Sequence, residues 1–125
     1  MNRAHGCVGC LAAVLLVAVV SGCAAGISAS PTPAPVRTDR VAVVEAGPIE
    51  QWGYDPVVIE VGAGTSVAWH NGGAQFHTVT SDSPGRPFDL GLDPGKDAAF
   101  TFAQAGTFAY HCGVHPQMKG TVLVR

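Results

Sequence analysis

From residue 40 onward, apolar side chains recur at every second position in short runs. Val67, Trp69 and Asn71 share one face of a run, as do Phe100 and Phe102, then Phe108, Tyr110 and Cys112, and finally Val122 and Val124. Period two is the spacing of a strand with one buried face, and no segment sustains the three-and-four spacing of a packed helix. The pattern predicts strands over residues 40–46, 57–61, 65–71, 76–80, 97–102, 107–112 and 120–124, with a weaker one over 88–92. Gly62-Ala63-Gly64, Gly72-Gly73, Ser83-Pro84-Gly85, Asp93-Pro94-Gly95 and Gly106 punctuate these runs as turns. Seven to eight short strands with regular turn signals point to an all-β fold, an antiparallel sandwich. The same alternation carries Asn71, His77 and Cys112 inward at strand ends, and turns His70 and His111 outward.

Ahead of the strands the pattern changes twice. Residues 11–20 form an uninterrupted apolar run, too short to span a bilayer as a helix and preceded by Arg3, as in a signal peptide. The run ends in Val20-Ser21-Gly22-Cys23, which resembles the lipobox of bacterial lipoproteins; that resemblance implies cleavage before Cys23 and a lipid on its sulfur. Cys7-Val8-Gly9-Cys10 has the spacing of a redox or metal pair but lies in the segment expected to be removed. From residue 24 to 39 the chain is rich in Ala, Ser, Thr and Pro, a composition that cannot bury enough apolar surface to fold. If extended as polyproline at ~3.1 Å per residue, it reaches roughly 50 Å. The expected organisation is therefore a signal peptide at 1–22, a lipidated Cys23 and tether at 23–39, and a folded domain at 40–125. The expected location is extracytoplasmic, on a bacterial cell membrane.

Composition narrows the function. Hydrophobic residues make up 47% and charged residues 13%, which suits one packed core in 125 residues. The net charge is −2 and no Lys/Arg cluster occurs, so the electrostatic footprint of a nucleic-acid binder is missing.

The chemistry gathers at Cys112-Gly113-Val114-His115-Pro116-Gln117-Met118, where thiolate, imidazole and thioether follow at intervals of three as a strand gives way to a loop. With five His and two Met in 125 residues, such a coincidence after a given cysteine arises by chance roughly once in 1,600. Soft sulfur suits Cu(I) and imidazole suits either oxidation state, so this donor set fits one copper ion cycling between Cu(I) and Cu(II). A second imidazole is best supplied by His77, on an inward face upstream. Zinc is a poorer match, because a thioether is not among its usual ligands. A Cys112–His115 nucleophilic pair would need both groups free beside an oxyanion site, which the sequence does not supply.

Over residues 54–125 the chain resembles the plastocyanin/azurin-type cupredoxins. The resemblance rests on Trp69-His70-Asn71, Phe76-His77-Thr78-Val79, Gly106-Thr107-Phe108-Ala109-Tyr110-His111-Cys112 and Gly120-Thr121-Val122. The short Cys112-x-x-His115-x-x-Met118 loop is similar to that of the amicyanins. The resemblance implies a Greek-key β-sandwich with copper at one end. It further implies His77, Cys112 and His115 as close ligands, Met118 as a longer one, and electron passage through the edge of His115. Many cupredoxins place Asn after the first ligand histidine, whereas this chain has Thr78. A hydrogen bond linking the two ligand segments is expected from Thr78 or from Asn71.

The function so implied is that of a membrane-tethered blue-copper electron carrier rather than an enzyme. Its expected partners are a redox donor and a redox acceptor docking near His115, and the membrane through Cys23, with the domain itself a monomer. Copper storage or delivery is the competing function, since metal binding alone does not establish electron transfer.

Overall fold

β-Branched and aromatic residues at alternate positions form ten strands in residues 29–125, the part of the chain that the computed structural model describes. The expectations for residues 1–22, for Cys7 and Cys10, and for Cys23 lie outside the described residues. The strands are β1 (Val36–Arg37), β2 (Arg40–Val44), β3 (Gly53–Asp55), β4 (Val58–Val61), β5 (Thr65–Asn71), β6 (His77–Ser81), β7 (Asp89–Leu92), β8 (Asp97–Phe102), β9 (Gly106–His111) and β10 (Lys119–Val124). One short 3-10 turn, Ile49–Gln51, joins β2 to β3.

The strands make two sheets, ordered β1-β4-β10-β9-β6-β7 and β3-β2-β5-β8. The predicted sandwich is present, but its pairing is mixed rather than wholly antiparallel. β4 runs parallel to both β1 and β10, and β2 runs parallel to β5. Alternation could not reveal this, because parallel and antiparallel strands share the same period of two. Three further differences have local causes. β1 lies within the stretch expected as tether, where Val36 and Arg37 register with Ile59 and Glu60 at the sheet edge. β3 is only three residues long and opens on glycine, giving no alternation to detect. Phe100, expected inward, is only partly buried, because β8 is the edge strand of its sheet.

Between the sheets, Trp69, Tyr110, Phe102, Ile59, Leu92 and Val79 are fully buried. The ring of Trp69 meets Tyr110 edge-on at 5.5 Å and lies 6.1 Å from Phe88, offset arrangements that aromatic pairs favour. Type II turns close two connections. Arg86 N–H donates to the Ser83 carbonyl with Gly85 at φ +78°, and Lys96 N–H donates to the Asp93 carbonyl with Gly95 at φ +71°. Both need φ above zero at the third position, which glycine adopts without strain. This frame leaves the end of β5, the start of β6 and the end of β9 at one edge of the sandwich.

Candidate metal centre

His77 is the first residue of β6, and Cys112 follows the last residue of β9. Residues 112–118 form the loop between β9 and β10, since Lys119 is in register with His111. Two backbone bonds close that loop: Cys112 N–H to the Met118 carbonyl at 3.1 Å, and Met118 N–H to the His115 carbonyl at 2.9 Å. The chain is thereby turned so that Cys112 and His115 come together, with Met118 bonded through its backbone to both. His77, Cys112 and Met118 are fully buried, and His115 is partly exposed.

The three donor atoms define the site. Cys112 Sγ lies 3.8 Å from His77 Nδ1 and 3.8 Å from His115 Nδ1, and the two nitrogens are 3.1 Å apart. The point equidistant from corners of a triangle with sides 3.8, 3.8 and 3.1 Å is about 2.1 Å from each. Imidazole and thiolate bonds to a first-row transition ion run ~2.0 to 2.3 Å, so the donors fit one such ion. Their chemistry fits as well. His77 Nε2 faces the Glu45 carboxylate at 2.8 Å, which fixes the ring proton on Nε2 and leaves Nδ1 as a lone pair aimed into the site.

Around these donors sits a layer of contacts that holds them. Thr78 N–H and His115 N–H donate to Cys112 Sγ at 3.3 and 3.4 Å and fix the sulfur in place. The Thr78 hydroxyl accepts Gly113 N–H at 2.7 Å, joining the β6 segment to the ligand loop. Trp52 stands edge-on to both imidazoles, 5.2 Å from His115 and 6.0 Å from His77. Gln117 reaches from the loop to donate to the Ile49 carbonyl at 2.8 Å. Tyr54, beneath, donates its hydroxyl to the Thr78 carbonyl at 2.5 Å. Burial first, then the charges of Cys112 and Tyr110, push its pKa well above the ordinary tyrosine value and keep it a donor.

Glu45 balances opposing influences. Desolvation acts to raise its carboxyl, but Ala74 N–H at 3.0 Å, Gln75 N–H at 2.9 Å and the His77 ring outweigh it and hold the group below its ordinary value. It is an anion at neutral pH.

The cupredoxin-like domain model matches residues 11–124 of the chain. The chain belongs to the cupredoxin family. It is 34% identical to amicyanin of Paracoccus denitrificans over 124 residues, spanning 92% of each protein. Among solved structures, a purple cupredoxin from Nitrosopumilus maritimus matches with a TM-score of 0.58 and 26% identity, over 69% of this chain and 98% of that one. A copper-containing nitrite reductase from Thermus scotoductus matches with a TM-score of 0.59 and 28% identity, over 77% of this chain but 23% of the enzyme.

Within this cupredoxin, Cys112 and His115 come together as their spacing predicts, His77 joins them from the inward face that alternation gives it, and Met118 is buried at the end of their loop. Of the two residues expected to link the ligand segments, Thr78 makes the link. Asn71 braces its own side of the site instead: its amide donates to the carbonyls of Gln75 and Leu92 and accepts Gly73 N–H. His70 and His111 point away from the site, each against a carboxylate, Asp97 and Asp82. Glu45, Trp52 and Tyr54 were not singled out as site residues. They meet the ligands only after folding, across 32 positions in the case of Glu45 and His77, and no local spacing announces them.

Proposed function

We propose that His77 Nδ1, Cys112 Sγ and His115 Nδ1 hold one copper ion, with the Met118 thioether as a weaker fourth donor. The protein then carries single electrons between redox proteins. The observation that carries this reading is the donor triangle, sized for one ion and built of two imidazoles and one thiolate. When bound, copper supplies a one-electron couple at a potential set by that donor set. The chain's own residues do the rest. Backbone amides of Thr78 and His115 hold the thiolate, Glu45 holds one imidazole, and the closed loop fixes the other, so little rearranges when charge changes. Names of related proteins support copper as well: the nitrite reductase is copper-containing, and an amicyanin structure is that of a Cu(I) form.

The partly exposed His115 is the natural point of electron passage. Val114 beside it, Phe76 beside His77, and Ile49, whose carbonyl anchors Gln117, are all exposed apolar side chains. A small apolar surface of this kind suits a weak, rapidly dissociating encounter between redox proteins. We read the protein as a carrier rather than an enzyme, because the domain corresponds to under a quarter of the nitrite reductase and its spare histidines face outward onto carboxylates. In this proposal residues 1–22 are a removed signal peptide. Cys23 bears the lipid, the following residues tether the domain, and the copper works on the extracytoplasmic side of a bacterial membrane.

The test is addition of Cu(II) to the purified domain. A carrier gives intense thiolate-to-copper absorption in the visible at one copper per chain, abolished by Cys112→Ser. Colourless binding of Cu(I) alone sinks the electron-transfer reading in favour of copper storage or delivery. For the tether, membrane-fraction protein should become soluble in Cys23→Ala.

A further inference from the structure

Glu45 follows the last residue of β2, on the opposite sheet from His77, and its carboxylate is almost enclosed. Its side chain is 12% exposed, and it receives three donors: Ala74 N–H, Gln75 N–H and His77 Nε2–H. No Lys or Arg among the described residues pairs with it. Space has been cleared for it as well. A Cβ at Gly73 would fall within van der Waals overlap of the Glu45 carboxylate, 2.2 Å from its Cδ. Gly73 has no left-handed φ, so glycine is required there by room for the carboxylate and not by backbone geometry.

We infer that Glu45 is a positioning residue that sets the reduction potential of the copper site, acting through His77 to favour the oxidised state. The inference rests on the copper reading above. The Cys112 thiolate and the Glu45 carboxylate together carry two negative charges. They balance a dication and exceed a monocation by one, so the pair stabilises Cu(II) relative to Cu(I). The hydrogen bond also makes the His77 ring a stronger electron donor and locks its tautomer, and partners of this kind commonly change metal affinity by roughly 10- to 100-fold when lost. The clustering of two loop amides on the same carboxylate ties residues 74 and 75 to it, so the segment that delivers His77 is held by the group that tunes it.

The experiment is protein-film or titration potentiometry on the copper-loaded domain, comparing wild type with Glu45→Gln, Glu45→Asp and Gly73→Ala. Glu45→Gln removes the charge with little change of shape and should weaken Cu(II) binding relative to Cu(I) by about tenfold, an upward shift of about 59 mV for a one-electron couple. Glu45→Asp keeps the charge and should lie nearer wild type than Glu45→Gln. Gly73→Ala expels the carboxylate without removing it from the chain and should also raise the potential. In the diamagnetic Cu(I) form, the His77 Nε2–H proton resonance should lie far downfield in wild type and move upfield in Glu45→Gln. A coloured Glu45→Gln protein with the wild-type potential overturns the inference, as do equal shifts in Glu45→Gln and Glu45→Asp, which would mark a role in packing alone. Failure of the wild type to bind copper instead overturns the copper reading. The Nε2–H resonance of the metal-free domain then still reports whether Glu45 holds His77.

Discussion

The Thr78 hydroxyl accepts the amide hydrogen of Gly113 at 2.7 Å, and this bond has a direction imposed from farther away. Thr80 Oγ1 donates to the Asp89 carboxylate at 2.8 Å, which uses its one proton. Thr78 Oγ1, 2.8 Å from Thr80 Oγ1, must therefore be the donor between them. The polarised chain runs Gly113, Thr78, Thr80, Asp89, and it pins the copper loop to β7. Thr78→Val keeps the shape but takes the acceptor from the Gly113 amide and the donor from the Thr80 oxygen, which keeps its bond to Asp89. The expected loss is about 1–3 kcal/mol of stability, measured by denaturant unfolding of the metal-free domain. The thiolate bond from the Thr78 backbone amide survives, so the loaded variant should keep its colour.

Trp52 reports on the site because its ring touches both ligand imidazoles, whereas Trp69 lies in the core. Loading with Cu(II) should quench the Trp52 component of the emission strongly. Trp52→Phe should remove that quenchable component, leaving the buried, less polar Trp69 signal. Emission titrated against copper checks this, and an unquenched wild type would mean the ion binds elsewhere.

Tyr110 and Gly120 face each other across β9 and β10, and a Cβ at Gly120 would come within 2.3 Å of the Tyr110 Cζ and hydroxyl. Gly120→Ala should therefore destabilise the domain by about 3 kcal/mol, the upper end of ordinary overpacking. The hydroxyl is buried without a well-formed hydrogen bond, and burial, opposed in part by the Trp69 ring N–H beside it, raises its pKa to about 12. Removing an unpartnered polar group relieves a desolvation cost. Tyr110→Phe should be neutral or mildly stabilising. Thermal melts of the two variants should move in clearly different amounts, with Gly120→Ala far below wild type.

Much of this architecture was legible because strand periodicity sorts side chains by face. Alternation put His77 and Cys112 inside and His70 and His111 outside, and each stands so. The three-residue spacing from Cys112 to His115 to Met118 was legible because a loop that short forces its donors together. What alternation cannot carry is partnership between distant strands. Glu45 looks like any polar residue at the end of a run, and only the parallel pairing of β2 with β5 brings it beside the Asn71–His77 segment. Trp52 is similarly placed by a three-residue 3-10 turn and a three-residue strand, both too short to leave a periodic trace. Thr78 stands out by its departure from the family pattern, but the sequence leaves the link between the ligand segments open between Thr78 and Asn71, and only the folded loop, with Gly113 N–H on the Thr78 hydroxyl, decides it.

Met118 separates packing from chemistry. Its side chain is fully buried, so Met118→Leu changes the donor atom while nearly conserving volume, and the metal-free domain should lose less than about 1.5 kcal/mol. Loading should then stabilise both proteins, since a ligand bound only by the native state adds about 4.1 kcal/mol at a thousandfold excess over its dissociation constant. The thioether favours Cu(I) as a soft ligand, yet as the weakest of the four donors its loss leaves the thiolate and both imidazoles, which generate the colour. Met118→Leu should thus stay blue, melt below loaded wild type but above its own metal-free form, and shift in potential. Cys112→Ser should show neither colour nor the full gain in melting temperature. If Met118→Leu and Cys112→Ser instead behaved alike on loading, the three-donor triangle would not be the seat of binding.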